Sequence, residues 1–364
     1  MRTVALLIAL LQLAMPPHPA TRVTVAQLEE FLASRRAAKQ SDSETAGALM
    51  RVELAQELTP ATLSRIGNEV RMGPKAAEQI RLLAAESIFE APPSTEWIDA
   101  PAPDAASQQR ILSQARSYAA TALRRLPDFL AVRTTTGYDN APGAADAKSA
   151  QPVVRMHFVR QHRREVTYRN GAEVDEIQSA GGRPVAASSE GFSTRGEFGP
   201  TLNMVLNGSL KGTLVWSRWQ RALSGARVAV FRYSVPRAAS EYLVDLCCFP
   251  RNLDDSIGVP FRDKPAYQGE IFVRPDSGIV ERVTVEAELP DRAPVRRCSI
   301  AVEYGEVTID GRPYICPVRG VAVLVFHSPF MEKIDGVGLE KHINQVQFDQ
   351  YHKFGSTARM VNSD

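Results

Sequence analysis

The chain has 364 residues and a formal net charge of +2, from 43 Lys and Arg against 41 Asp and Glu; 44% of residues are hydrophobic and 23% charged. Those proportions exclude wholesale disorder and a multi-span membrane protein, and so small a charge gives no bulk electrostatic reason for a nucleic-acid partner. The 23 Gly and 24 Pro have no period, which excludes collagen-like repeats, and four Cys are too few for a disulfide scaffold.

Residues 1–20 read as a signal peptide. Arg2 is a one-charge n-region, Val4–Met15 is apolar apart from Gln12, and Pro16, Pro17 and Pro19 break the helix before Ala20. Twelve residues at 1.5 Å each span about 18 Å, short of a bilayer core. The competing reading is a buried N-terminal helix. His18 sits where a small residue is usual, so the cleavage position stays open by several residues. No Cys follows the apolar run, so no lipobox is expected, and the longest later apolar run near the C-terminus, Val321–Phe326, is too short for a transmembrane helix. The expectation is a periplasmic or secreted protein.

Residues 21–90 carry the period of short helices. Thr24 with Gln27 and Ser41 with Glu44 have capping-box spacing, and Thr59-Pro60 is an N-cap followed by proline at the first helical position. Gly73-Pro74 opens a last helix with Ala77, Ile80, Leu83, Ala84 and Ile88 on one face. A set this small has a marginal core and is expected to pack on the rest of the chain. Residues 91–103 form a Pro-rich linker, with Trp97 expected to pack on a neighbouring surface.

Asp104–Leu126 has no Gly or Pro, has Ile111, Ala115, Tyr118, Ala119 and Ala122 at helical spacing, and ends at Pro127. From Phe129 the period becomes two. Strands are predicted at Phe129–Thr136, Val153–Gln161, Glu165–Arg169, Ala172–Gln178, Leu214–Ala222, Arg227–Val235, Ser240–Phe249, Gly269–Arg274, Ile279–Leu289, Cys298–Ile309 and Pro313–Phe326. Asn170-Gly171 and Asp310-Gly311 are hairpin dipeptides, and Pro275–Gly278 is a tight turn with glycine at its left-handed position. Phe198–Leu210 reads as a short helix and Gly137–Gln151 as a loop. Val283, Val285, Ala287 and Leu289 alternate with Arg282, Thr284, Glu286 and Glu288, the pattern of an antiparallel sheet wetted on one side. A register shift is expected at Gly305, where a bulge is the ordinary cause. The fold class expected is α+β: a small N-terminal helical segment, then a long helix packed against a curved antiparallel β half-barrel over residues 104–355, with a tail at 356–364.

The order of a long helix ending in Leu126-Pro127-Asp128-Phe129, hairpins, an insertion, and the run Tyr267-Gln268-Gly269-Glu270-Ile271-Phe272-Val273-Arg274-Pro275-Asp276-Ser277-Gly278 resembles the LolA-like superfamily, and it is also similar to a group of uncharacterised exported bacterial proteins. The LolA-like group includes periplasmic lipoprotein carriers and lipid-binding proteins. The resemblance implies an open half-barrel whose apolar and aromatic groove, with no catalytic motif, holds the ligand.

Chemistry-bearing motifs are sparse. G-x-S-x-G, Walker, G-x-G-x-x-G, H-E-x-x-H and C-x-x-C patterns are absent from the sequence. His157 and His162 lack a carboxylate cluster at metal-ligand spacing, so no metal or other cofactor is expected. Glu303 and Glu306 read as two solvated glutamates rather than paired acids. Arg160, His162, Arg163 and Arg164 form a basic patch, read as a charged strand edge or, alternatively, as an anionic headgroup contact. If Ile309 faces Arg312 across the Asp310-Gly311 turn, Cys298 faces Val323 and Cys316 faces Gly305, so those two should not pair with each other. An oxidising compartment would permit Cys247 or Cys248 to bridge to Cys298 or Cys316; four buried free thiols are the alternative.

The reading that follows is a non-enzymatic exported envelope protein binding an acyl chain, lipid or lipidated peptide. Val283, Val285, Ile300, Val302 and Tyr304 would line the groove, with Val228 and Val230 facing them from an earlier strand; the same residues also fit a core beneath Asp104–Leu126. The alternatives are an envelope assembly module, with the helical segment as its contact surface, and an exported hydrolase of unknown motif.

Overall fold

The structure is a computed structural model that describes residues 21–142, 156–174, 179–180, 183–184, 192, 194, 196–255 and 258–353. The expected signal peptide at 1–20, the expected tail at 356–364 and residues 143–151 of the expected loop Gly137–Gln151 lie outside the described residues, as do the predicted strand positions 153–155 and 175–178.

The N-terminal unit comprises β1 (Thr21–Val23), α1 (Val25–Ala37), α2 (Asp42–Leu49), β2 (Val52–Leu54), α3 (Pro60–Glu69) and α4 (Pro74–Glu86). Capping explains its boundaries. Thr24 and Ser41 each accept a hydrogen bond from the backbone three residues on, and Gln27 and Glu44 reciprocate. Thr59 caps α3 ahead of Pro60. Val25, Leu28, Leu32, Leu49, Ile66 and Ile80 form one apolar cluster inside the unit. Val52, read above as helical, instead belongs to a short strand that pairs in parallel with β1.

Next come α5 (Ala105–Arg125), β3 (Phe129–Asp139), β4 (His157–Arg169), β5 (Ala172–Val174), β6 (Ser179–Ala180), β7 (Arg183–Pro184) and α6 (Pro200–Gly208). Strands β8 (Thr213–Arg221), β9 (Arg227–Val235), β10 (Val244–Phe249), β11 (Val259–Asp263), β12 (Ala266–Val273) and β13 (Val280–Glu288) follow. The chain closes with β14 (Val295–Ile309), β15 (Arg312–His327), α7 (Pro329–Asp335) and β16 (Leu339–Lys353). Asp104 starts α5 by accepting from the Ser107 backbone N–H at 2.7 Å.

Among the described residues ten strands form one curved antiparallel sheet in the order β5-β4-β3-β16-β15-β14-β13-β12-β9-β8, whose two ends do not pair with each other, so it is not closed into a barrel. The α+β class and the half-barrel with helices therefore hold. β10 and β11 pair with each other and stand outside this sheet. The last strand, β16, lies in the interior of the sheet between β3 and β15.

The middle of the sheet is covered on both faces, which corrects the expectation of one wetted side there, while β4 near one edge stays largely exposed. On one face, Ile111, Ala115 and Ala119 of α5 and Leu202, Val205 and Leu206 of α6 share a core with Phe231, Ile271, Val283, Val285, Val302 and Tyr304. Burying each large side chain contributes about 1.5–3 kcal/mol. On the back face, Ile88 and Phe89, just after α4, pack with Ala301, Val321, Val323, Val325 and Ile343. Of the alternate positions of β13, Arg282 and Thr284 are buried, with Arg282 meeting Glu57 of the N-terminal unit, whereas Glu286 is half-buried and Glu288 exposed. The β14–β15 ladder shifts between Glu303 and Tyr304, leaving Val318 as the extra residue of β15. Cys316 faces Gly305 as expected, but the shift moves the partner of Cys298 from Val323 to Leu324.

Candidate binding face and the buried ionic network

Residues directly opposite each other on neighbouring strands point to the same face. The register pairs Val283 with Val302 and Val285 with Ile300, so these four residues share the α5 face; Tyr304, two past Val302, joins them. Val283, Val285, Val302 and Tyr304 are buried and Ile300 is partly buried. The Tyr304 hydroxyl donates to the Glu197 carbonyl at 3.3 Å, and burial pushes its pKa far above the ordinary tyrosine value.

Val228 and Val230 are placed differently. Val230 faces Phe272, which faces Arg282, whereas Phe231 faces Ile271 and then Val283. Val228 and Val230 therefore point to the back face, where they cluster with Phe272, and they do not face the other five residues. A one-residue step along a strand exchanges faces, and the sequence left the phase of β9 against β13 undetermined.

The roof over the α5 face has three parts: α5, α6 and the β10–β11 hairpin. The hairpin region contributes Tyr242, Val244 and Phe249 to the shared core. Phe249 meets Phe326 at 4.9 Å between ring centroids, Tyr242 packs on Tyr267 at 5.7 Å, and the Tyr242 hydroxyl lies 3.5 Å from Cys298 Sγ. The outer side of this region exposes Leu243, Leu253 and Val259.

The cysteine expectation is corrected on this hairpin. Cys247 is disulfide-bonded to Cys248, its immediate neighbour across a cis peptide bond, while Cys298 and Cys316 are free and buried. The proposed bridges required β10 to lie beside β14 or β15, and β10 pairs with β11 instead. Burial pushes the Cys316 thiol up to about 12.

A buried ionic network occupies the back face. Arg282 Nη1 donates to Glu57 Oε1 at 2.6 Å and lies in a cation–π contact 4.2 Å from the Phe272 ring centroid. Arg218 donates through both terminal nitrogens to Glu270 at 2.7 Å, and through Nε to Gln220 at 2.8 Å. Gln220 in turn donates to Glu57 at 3.4 Å. Glu303 lies 3.9 Å from Arg282 and accepts from Arg319. The expectation of a solvated Glu303 is thereby corrected: it is buried, and Glu306 is exposed. Burial opposes the charge on Arg282, but Glu57 and Glu303 overcome it and raise its pKa above the ordinary arginine value. The sequence reading missed Glu57, Arg218, Glu270 and Arg282. The available signal was Arg282 and Glu303 at polar phases of strands long enough to lie in a sheet interior.

The basic patch lies on β4, where Arg160, His162 and Arg164 alternate with Gln161 and Arg163. Arg164 faces Arg133, whose buried guanidinium donates to the Thr194 carbonyl, the Thr194 hydroxyl and Glu197, each at 3.0 Å. Among the described residues no group of three or more His, Cys, Asp or Glu could hold a metal ion, and no helix is long and apolar enough to cross a membrane.

No family model matches the chain, and no curated protein matches it. Among solved structures the chain is similar to a DUF1329 family protein from Desulfovibrio piger ATCC 29098, at 10% sequence identity and a TM-score of 0.26, over 70% of this chain and 95% of that one. The fold described above rests on this chain's own register and packing.

Proposed function

We propose that this chain is an exported, non-enzymatic protein that takes up an apolar ligand, an acyl chain, lipid or lipidated peptide, on the α5 face of its curved sheet. One observation carries the reading: part of the roof over that face is a two-stranded hairpin whose strands, among the described residues, pair with no strand of the ten-stranded sheet. Its inner side is apolar and its outer side exposes further apolar residues. In the structure the face is filled by its own side chains, so uptake requires the hairpin to lift and a ligand to replace Phe249 and Tyr242 against Phe326 and Cys298. Burial of apolar area, at about 25 cal/mol per Å², would drive the exchange. Export rests on the Met1–Ala20 pattern, and the apolar ligand is in keeping with the LolA-like resemblance.

The assembly-module alternative receives no comparable support. Its contact surface, the N-terminal unit, is joined to the sheet by the buried Glu57–Arg282 pair rather than hanging free. The test is to purify the protein from a cell envelope fraction without detergent and to extract it with organic solvent. Mass spectrometry is expected to find lipid in near-stoichiometric amount; a lipid-free extract, together with failure to take up lipid from vesicles, overturns the reading.

A further inference from the structure

Arginines converge at the turn end of the sheet, away from the hairpin roof. The register sets Arg221 directly opposite Arg227 across the β8–β9 turn, and both are exposed. Among the described residues neither meets a carboxylate. Arg221 donates to the Gly225 carbonyl at 3.4 Å, and the Arg227 guanidinium lies 3.8 Å from the Trp219 ring centroid. Like charges directly opposite on paired strands cost stability, so strand pairing does not account for placing these two together. From the β12–β13 turn comes Arg274, whose Nε is engaged by Glu281. Trp219, Arg227, Arg274, Asp276 and Ser277 are among the residues that line a depression of about 380 Å³ here.

We propose that this depression binds a singly charged oxyanion, a phosphodiester or a carboxylate, with Arg227 of its lining as the ligand and Arg221, outside the lining but directly opposite Arg227 on the paired strand, adding positive charge beside it. Charge-assisted hydrogen bonds from guanidinium to a two-oxygen anion are the strong, directional kind. Trp219 holds the Arg227 group in place from below by a cation–π contact, leaving its edges free to donate. Asp276 also lines the depression, and its repulsion grows with the charge of the anion, which favours the singly charged class over a multiply charged one. The site stands whether or not the α5 face opens.

The experiment compares the full chain with R221Q/R227Q and with R71Q/K333Q, which removes two exposed charges elsewhere. Probes are vesicles of phosphatidylglycerol, vesicles of phosphatidylcholine, and soluble dimethyl phosphate and acetate. The wild type and R71Q/K333Q are expected to bind an anionic probe, and R221Q/R227Q at least tenfold more weakly while keeping a cooperative melting transition. Loss confined to phosphatidylglycerol vesicles assigns the anion to a lipid headgroup; loss extending to dimethyl phosphate or acetate assigns it to a free oxyanion. Equal binding by R221Q/R227Q and wild type, equal losses in both double variants, or no anionic binding by the wild type overturns the proposal.

Discussion

Glu57 and Arg282, 225 positions apart in the chain, meet at 2.6 Å with side chains only 5% and 7% exposed. One comes from the loop after β2 and the other from the middle of β13, so the pair joins the N-terminal unit to the back of the sheet. Two charges taken out of water cost several kcal/mol each, and their attraction repays this only when geometry is good and further hydrogen bonds complete the shell. Gln220 and Glu303 supply that shell. Removing one partner strands the other. Glu57→Ala is expected to destabilise by about 3–5 kcal/mol in urea unfolding, whereas the paired exchange E57M/R282M recovers most of the loss.

Gly278 ties the β12–β13 turn to the long helix. Its φ is +73°, and a Cβ there would fall 2.5 Å from the Gln114 carbonyl carbon and oxygen. Gly311 has nearly the same φ, +74°, with open space around it. Gly311→Ala is therefore expected to cost about 1–2 kcal/mol, the left-handed strain alone. Gly278→Ala adds the clash with α5, about 1–3 kcal/mol more. Thermal or urea denaturation of the two variants separates strain from close approach.

Alkaline pH should loosen the core through the Cys316 thiol. Burial raises its pKa from about 9 to about 12, so the folded state holds the proton more tightly than the unfolded state. The resulting stabilisation is fully present below pH 9 and is lost as pH rises from there towards 12. Cys316→Ala removes this linkage. Its stability is expected to fall less steeply than that of the wild type across that window, by up to about 1.4 kcal/mol per pH unit, read from urea midpoints. In the native protein at neutral pH, Cys298 and Cys316 are expected to resist alkylation until the chain unfolds.

The helices were legible where capping chemistry was local. Thr24, Ser41, Thr59 and Asp104 mark starts that the structure keeps. The β12–β13 and β14–β15 turns followed from Pro275–Gly278 and Asp310-Gly311 for the same reason. β16 was missed because His342, Asn344, Gln345 and Gln347 break its apolar alternation. Those polar groups are accommodated individually, Asn344 by the Phe192 carbonyl and His342 by Glu340. β11 was missed because it is only five residues long and carries Pro260 inside it, which reads against a strand. The phase of Val228 and Val230, and the burial of Glu303 beneath a unit more than 200 residues earlier, depend on long-range register and docking, which local patterns do not contain.

The proposed uptake requires the β10–β11 hairpin to be a displaceable roof over an apolar face. Titration of the purified full chain with a fluorescent acyl probe tests it most directly, comparing the wild type with Phe249→Ala, which removes the hairpin's ring contact with Phe326. Saturable binding near one probe per chain is expected, with association several-fold faster in the variant. Absence of saturable binding in both proteins, with both shown to be folded, would contradict it.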